Sequence, residues 1–210
     1  MTVLAQRSAT PARTPILKKP DEYGMEYEEI SFVTEDGVEL KGWFIPAKSN
    51  KIIISNHFSP ANRYGYPGHM EPYNNAGGFE VNFLPRYKAL HDAGYNVLTY
   101  DMRFHGVSDA GPEGFCAVGF YEWKDVIGSL KYVRSRKETA DMDIHLQSMC
   151  MGANSTLQAI SKHPEEFKDI KSLILIQPLN GQTFIERLCE AMGIDEETGL
   201  KVYASINEKI

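Results

Sequence analysis

Ser148-Met149-Cys150-Met151-Gly152 stands between Asp143-Ile144-His145-Leu146-Gln147, which reads as a strand, and Ala153 to Ser161, which reads as a helix. A small-x-nucleophile-x-Gly pattern on a strand-to-helix turn is a nucleophile elbow. The sharp turn lifts its central side chain out of the sheet, and small residues at both ends let strand and helix backbones approach. Cys150 occupies the centre, and a serine holds the first position. A thiol at a helix N-terminus meets unpaired N–H groups and positive dipole, so Cys150 is expected to favour thiolate and to be the nucleophile.

Working outward, Tyr27 to Val33 and Val38 to Ile45 read as two strands joined at Asp36-Gly37, a hairpin signal. Lys51 to Asn56 (KIIISN) is a short apolar run of the kind buried on both faces of a sheet. A loop rich in Pro, Gly, Asn and Tyr follows, from His57 to about Glu80. Phe83 to Ala93 reads as a helix closed by Gly94, and Tyr95 to Tyr100 as a strand. Trp123, Val126, Ile127, Leu130 and Val133 recur at helical spacing, so Gly119 to Ser135 is predicted as an amphipathic helix. Ser172 to Gln177 is another buried strand, and the tail from Thr183 reads as two short acidic helices parted near Gly193. Strands alternating with helices imply an α/β fold, a mainly parallel sheet with helices on both faces.

The expected division is a flexible N-terminal arm over 1–22, a core over 23–181 and a helical tail over 182–210. The 210 residues, with 42% hydrophobic and 24% charged residues, suit one globular domain. A net charge of -6 argues against nucleic acid or an anionic membrane as partner. No apolar run approaches the roughly 20 residues of a membrane span. The first twenty residues lack acidic side chains and carry several Arg, Ser and Thr, a weak organelle-targeting pattern, yet Pro11 and Pro15 interrupt them and a disordered arm is the expectation. Three widely spaced cysteines, Cys116, Cys150 and Cys189, fit a reducing, cytoplasmic setting that keeps Cys150 free; Cys116 and Cys189 read as structural. No CxxC pair, GxxxxGK[ST] or GxGxxG is present, so no metal and no cofactor is expected.

Attack on a carbonyl creates an oxyanion that needs preorganised N–H donors. In this architecture one donor follows the nucleophile, here Met151, and the other comes from the loop after the KIIISN strand, His57-Phe58-Ser59, with Phe58 as the donor within one residue of register. His57 reads either as a possible base or, more simply, as a residue that shapes this loop. Asp101 and His105, in Asp101-Met102-Arg103-Phe104-His105-Gly106-Val107-Ser108, read as pins of a tight turn. His69, His91, His145 and His163 read as surface or packing residues. Arg63, Tyr64, Tyr66 and Tyr73 either line a pocket or cover the top of the sheet.

Taken in order, Asn56-His57-Phe58-Ser59, the Asp101–Ser108 block and Ser148-Met149-Cys150-Met151-Gly152 resemble the α/β-hydrolase superfamily over roughly Glu28 to Pro178. Cysteine at the elbow narrows the resemblance to two branches. One is dienelactone-hydrolase-like, with Gly-x-Cys-x-Gly; the other is the acyl-CoA thioesterase and amino-acid N-acyltransferase family, whose elbow is Ser-x-Cys-x-Gly, as here. The resemblance implies a thiol-dependent hydrolase of small-molecule esters, lactones or thioesters. It also implies an acid after strand seven, or sometimes six, and a histidine after strand eight. The strands counted here stop at six, Pro178-Leu179-Asn180-Gly181 holds no carboxylate, and no histidine follows His163. The expectation is therefore a fold lacking strands seven and eight, with the tail from Thr183 as the start of a lid. The exposed last strand would then be an edge that an oligomer could cover. A non-catalytic binding or interaction module on the same fold, and a base supplied by another chain, are the alternatives.

Overall fold

The computed structural model describes residues 10–74, 77–191 and 193–207. Six strands form the main sheet in the order β1-β2-β6-β3-β7-β8: β1 (Glu28–Val33), β2 (Glu39–Ile45), β3 (Lys51–Asn56), β6 (Asn96–Tyr100), β7 (Asp143–Met149) and β8 (Ser172–Ile176). The pairs β3–β6, β3–β7 and β7–β8 are parallel, whereas β1–β2 and β2–β6 are antiparallel. Among the described residues the α-helices are α1 (Leu84–Asp92), α2 (Trp123–Ser135), α3 (Met151–Lys162), α4 (Gly181–Ala191) and α5 (Glu196–Asn207).

The KIIISN run behaves as its composition requires. Ile52 and Ile54 face one core with Leu98, Tyr100, Leu146 and the apolar stripe of α2, Val126, Ile127, Leu130 and Val133. Ile53 faces the other, with Trp43, Val97, Met149 and the α1 residues Leu84 and Tyr87. Side chains alternate along a strand, so β3 is apolar at successive positions because helices cover both faces.

Among the described residues eight strands are present in chain order, so the expected absence of a seventh and an eighth is not borne out as a strand count. The segment from His57 to about Glu80, expected as loop, and the residues just after it supply the other two, β4 (Gly65–Pro67) and β5 (Glu80–Asn82), as a separate antiparallel pair. Gly65 makes that pairing possible: at φ 137° a Cβ there would stand 1.9 Å from the Val81 carbonyl oxygen. The helix predicted from Gly119 begins instead at Trp123, because Val118 and Gly119 have positive φ and the Glu122 carboxylate accepts the Ala117 and Gly119 N–H groups.

The arm expected over 1–22 is described from residue 10 onward, and its later part lies against the body. Arg13 donates to the carbonyls of Gly106 and Ser108, Asn62 donates to the Thr14 and Pro15 carbonyls, and Lys18 pairs with Glu80. Strand β8 is an edge of the sheet among the described residues, and its Leu173, Ile174 and Ile176 are 39%, 48% and 38% exposed. The tail forms two helices parted at Gly193, with Cys189 buried and close to Gly199. No helix among the described residues is long and apolar enough to cross a membrane.

Candidate active site

Cys150 sits between the last residue of β7 and the first of α3, at φ 49° and ψ -110°. That left-handed conformation is rare for a residue with a Cβ and is a local strain of the kind proteins hold at functional sites. Three contacts hold it. The Cys150 N–H donates to the Ile176 carbonyl at the end of β8 (2.8 Å), the Asn154 N–H donates to the Cys150 carbonyl (2.9 Å), and the Gly152 N–H donates to the His57 carbonyl (3.2 Å). Gly152 is required by proximity: a Cβ there would lie 2.7 Å from the Asn56 oxygen and 2.8 Å from its Cβ.

Under the turn runs a buried polar network that the sequence reading missed. Tyr100 donates from its hydroxyl to Asn56 Oδ1 (2.7 Å), and Asn56 Nδ2 donates to Ser148 Oγ (2.8 Å). Ser148 and Thr156 hydroxyls lie 2.8 Å apart, and Thr156 donates to the Gly152 carbonyl (2.9 Å). The network ties β6, β3, β7 and α3 together directly beneath Cys150, and it gives the serine at the head of the elbow a role glycine could not fill. The available signal was Asn56, a polar residue ending an otherwise apolar strand.

The Cys150 thiol is half-buried, and this corrects the expected preference for thiolate. Burial pushes its pKa up from the ordinary value, and the hydrogen bond from the Met151 N–H opposes that only in part. Desolvation of the charged form outweighs the helix terminus here. Cys116 is buried with its sulfur 3.6 Å from the Met151 sulfur, and burial pushes its thiol well up.

His57 lies in the loop after β3, adjoining Phe58 as expected, but its ring is fully committed. Its Nδ1–H donates to the Phe58 carbonyl (2.9 Å), which leaves Nε2 to accept the Met102 N–H (2.9 Å). In this arrangement neither ring nitrogen is left to take a proton from Cys150. His105 is held in the same way, Nδ1–H to the Arg103 carbonyl (2.8 Å) and Nε2 accepting from the Ser59 hydroxyl (2.9 Å). Neither the Phe58 nor the Ser59 N–H has an acceptor among the described residues.

Burial pushes the His57 imidazole down to about 4, against the bond to the Phe58 carbonyl. His105 goes to about 3, through burial first and then the neighbouring His57. Both neutral rings are thus favoured by folding. Their contribution is complete above the ordinary value near 6.5 and is lost as pH falls toward 4. Urea unfolding at pH 7, 5.5 and 4.5 should show stability falling by up to about 1.4 kcal/mol per pH unit for each ring. A flat profile across that window would contradict the assignment.

Asp101 behaves as a pin. It accepts the Arg63 N–H (2.8 Å), the Arg63 guanidinium (2.7 Å) and the Val107 N–H (2.9 Å), and Gly106 packs against its carboxylate. Tyr64 and Tyr66 are buried and join the core on the α1 side, while Tyr73 packs against it. His145 bonds Ser172, His91 the Pro46 carbonyl and His163 Glu165, none of them at the elbow. Among the described residues no group of His, Cys, Asp and Glu is arranged to hold a metal ion. A shallow depression lined by Glu29, Ile30, Ser31, Lys41, Arg63 and Val107 includes no elbow residue.

No family model matches the chain. The solved esterase Pf2001 of Pyrococcus furiosus aligns over 95% of this chain and 68% of its own, with TM-score 0.69 and 25% identity. The α/β hydrolase GrgF of Penicillium aligns over 81% of this chain and 57% of its own, with TM-score 0.52 and 19% identity. With the sheet order and the elbow, these likenesses define the architecture as the α/β-hydrolase fold. The uncharacterized protein YfhR of Salmonella typhi is 28% identical over 137 residues, 64% of this chain and 41% of YfhR. YfhR of Escherichia coli K12 is 25% identical over 148 residues, 70% of this chain and 46% of its own. The chain thus spans less than half the length of the curated relatives it matches.

Proposed function

We propose that this chain carries out thiol-dependent acyl transfer, the first half of an ester, lactone or thioester hydrolysis, at Cys150. The observation that carries the reading is the strained left-handed backbone of Cys150 on the β7–α3 turn, held by Gly152 against the loop after β3. Cys150 Sγ attacks the carbonyl carbon and forms a C–S bond. The oxyanion is received by the Met151 N–H and the loop amide of Phe58, with Ser59 one residue on as the register alternative. Collapse breaks the carbonyl bond to the leaving oxygen or sulfur, which takes up through solvent the proton that the Cys150 thiol gave up, and leaves acyl-Cys150. The likeness to an esterase supports this chemistry.

Hydrolysis of acyl-Cys150 needs a base to activate water. The rings of His57 and His105 are held in backbone and serine hydrogen bonds, and no histidine follows His163. With neither ring free to take a proton, acylation of Cys150 outruns its deacylation. Mixing with p-nitrophenyl acetate should give a burst of one nitrophenol per chain, then a slow steady state. Cys150→Ala should remove the burst, a loss of at least about a hundredfold in acylation rate. A burst unchanged in that variant would sink the proposal. The second reading, a non-catalytic binding module, is favoured by the raised thiol pKa of Cys150. It requires a folded chain with neither burst nor turnover.

A further inference from the structure

Two imidazole rings join the loop that bears Phe58 and Ser59 to the turn that follows β6. His57, on the loop, reaches the Met102 N–H of the turn; His105, on the turn, reaches the Ser59 hydroxyl of the loop. The rings pack edge to face, with centroids 5.1 Å apart, and both are buried. A carbonyl can only accept, so the bonds to the Phe58 and Arg103 carbonyls fix both protons on Nδ1. Each ring is thereby a rigid, neutral strut with one donor and one acceptor in use.

The far end of the His105 strut is fixed as well. Arg103, whose carbonyl anchors it, gives its N–H to Asp125 Oδ2 (2.8 Å) and its Nε–H to Asp125 Oδ1 (2.8 Å) on helix α2. On the loop side, the Ala61 N–H also donates to the Phe58 carbonyl (2.9 Å), and the His57 carbonyl receives Gly152 of the elbow (3.2 Å). The carbonyls of His57 and Phe58 and the hydroxyl of Ser59 are all held, and the intervening N–H groups are left open.

We infer that His105, acting through Ser59 and beside His57, is a positioning residue that clamps the loop amides for the acyl transition state. This rests on the acyl-transfer reading of Cys150 given above. Oxyanion donors act by being in place before charge develops, so a loosened loop costs rate without disturbing the thiol.

The test is Ser59→Ala, which removes one partly buried hydroxyl, with His105→Asn as the companion variant. Acylation of Cys150 by p-nitrophenyl acetate is measured beside its alkylation by iodoacetamide, which develops no oxyanion. The expected result is acylation slowed about tenfold with alkylation within twofold of the parent chain. Hydrogen exchange of the Ala61 N–H, which donates to the Phe58 carbonyl, should also quicken about tenfold. Acylation within twofold of the parent, or acylation and alkylation falling together, would overturn the clamp. If the parent chain forms no acyl-Cys150, the acyl-transfer reading falls on its own, and exchange decides the clamp. Unchanged exchange in Ser59→Ala overturns it, and faster exchange confined to the loop upholds it.

Discussion

Arg103→Met should lower the unfolding free energy by about 3–5 kcal/mol, measured by urea denaturation at pH 7. Arg103 is fully buried, with its Nε 2.8 Å from Asp125 Oδ1 and its Nη1 2.9 Å from Asp36 and 3.3 Å from Glu113. Methionine preserves much of the apolar stem, so the loss reports the charge. Asp36 keeps Lys124 at 2.9 Å, whereas buried Asp125 loses the guanidinium, its ion-pair partner among the described residues. Burial holds the Asp125 carboxyl up at about 7 against the pull of the guanidinium and of the Arg103 backbone N–H, so removing the guanidinium leaves only that N–H to oppose the upward push. The folded variant then binds a proton that the unfolded chain has released above pH 4. Relative to the parent, the loss should therefore shrink as pH falls below 7 and grow as pH rises, on top of the decline below pH 6.5 that His57 and His105 impose on both chains. Because a buried ion pair can be replaced by apolar groups at little cost, Arg103→Met with Asp125→Leu should recover a large part of the loss. A single-variant loss below about 1 kcal/mol would show that the network contributes little.

Gly152→Ala sets two effects of opposite sign against each other. Within a helix, alanine is favoured over glycine by about 1 kcal/mol. At this site the new Cβ would lie 2.7 Å from the Asn56 carbonyl oxygen and 2.8 Å from its carbonyl carbon, both backbone atoms that cannot turn aside. Relief requires α3 to move off β3, which strains the Asn56–Ser148–Thr156 hydrogen bonds and the Gly152-to-His57 bond. Overpacking of this kind costs about 1–3 kcal/mol, so the net change should be destabilising. The displacement also moves Cys150 and Met151 relative to the loop, and acylation should fall tenfold or more. A variant more stable than the parent, with an unchanged burst, would mean that the close approach is not a constraint.

Where local pattern and tertiary environment agree, the chain was legible. Lys51 to Asn56 declared a strand covered on both faces, and the segments flanking Cys150 declared the turn, because period and residue type act locally. The β4–β5 pair was not legible: three residues of strand at each end of a long loop carry no period, and what joins them is the freedom of Gly65. The start of α2 was misjudged because Glu122 folds back on the backbone ahead of it.

At the site, residue identities were readable and their states were not. From sequence, His57 reads both as a possible base and as a loop-shaping residue. Choosing between them needed the Met102 N–H, which lies 45 positions along the chain. The thiol of Cys150 was expected low from its helix position, but its pKa is set by how much water the surrounding loops exclude. Ser148 and Asn56, 92 residues apart, have no sequence signal that pairs them.

The most direct test of the central claim is intact-mass spectrometry with peptide mapping after brief exposure of the folded chain to p-nitrophenyl acetate. The expected result is one acetyl group per chain, carried by Cys150 and not by buried Cys116 or Cys189, and persisting long after the ester is removed. A folded chain that stays unmodified, or one acetylated elsewhere with Cys150 untouched, would contradict it.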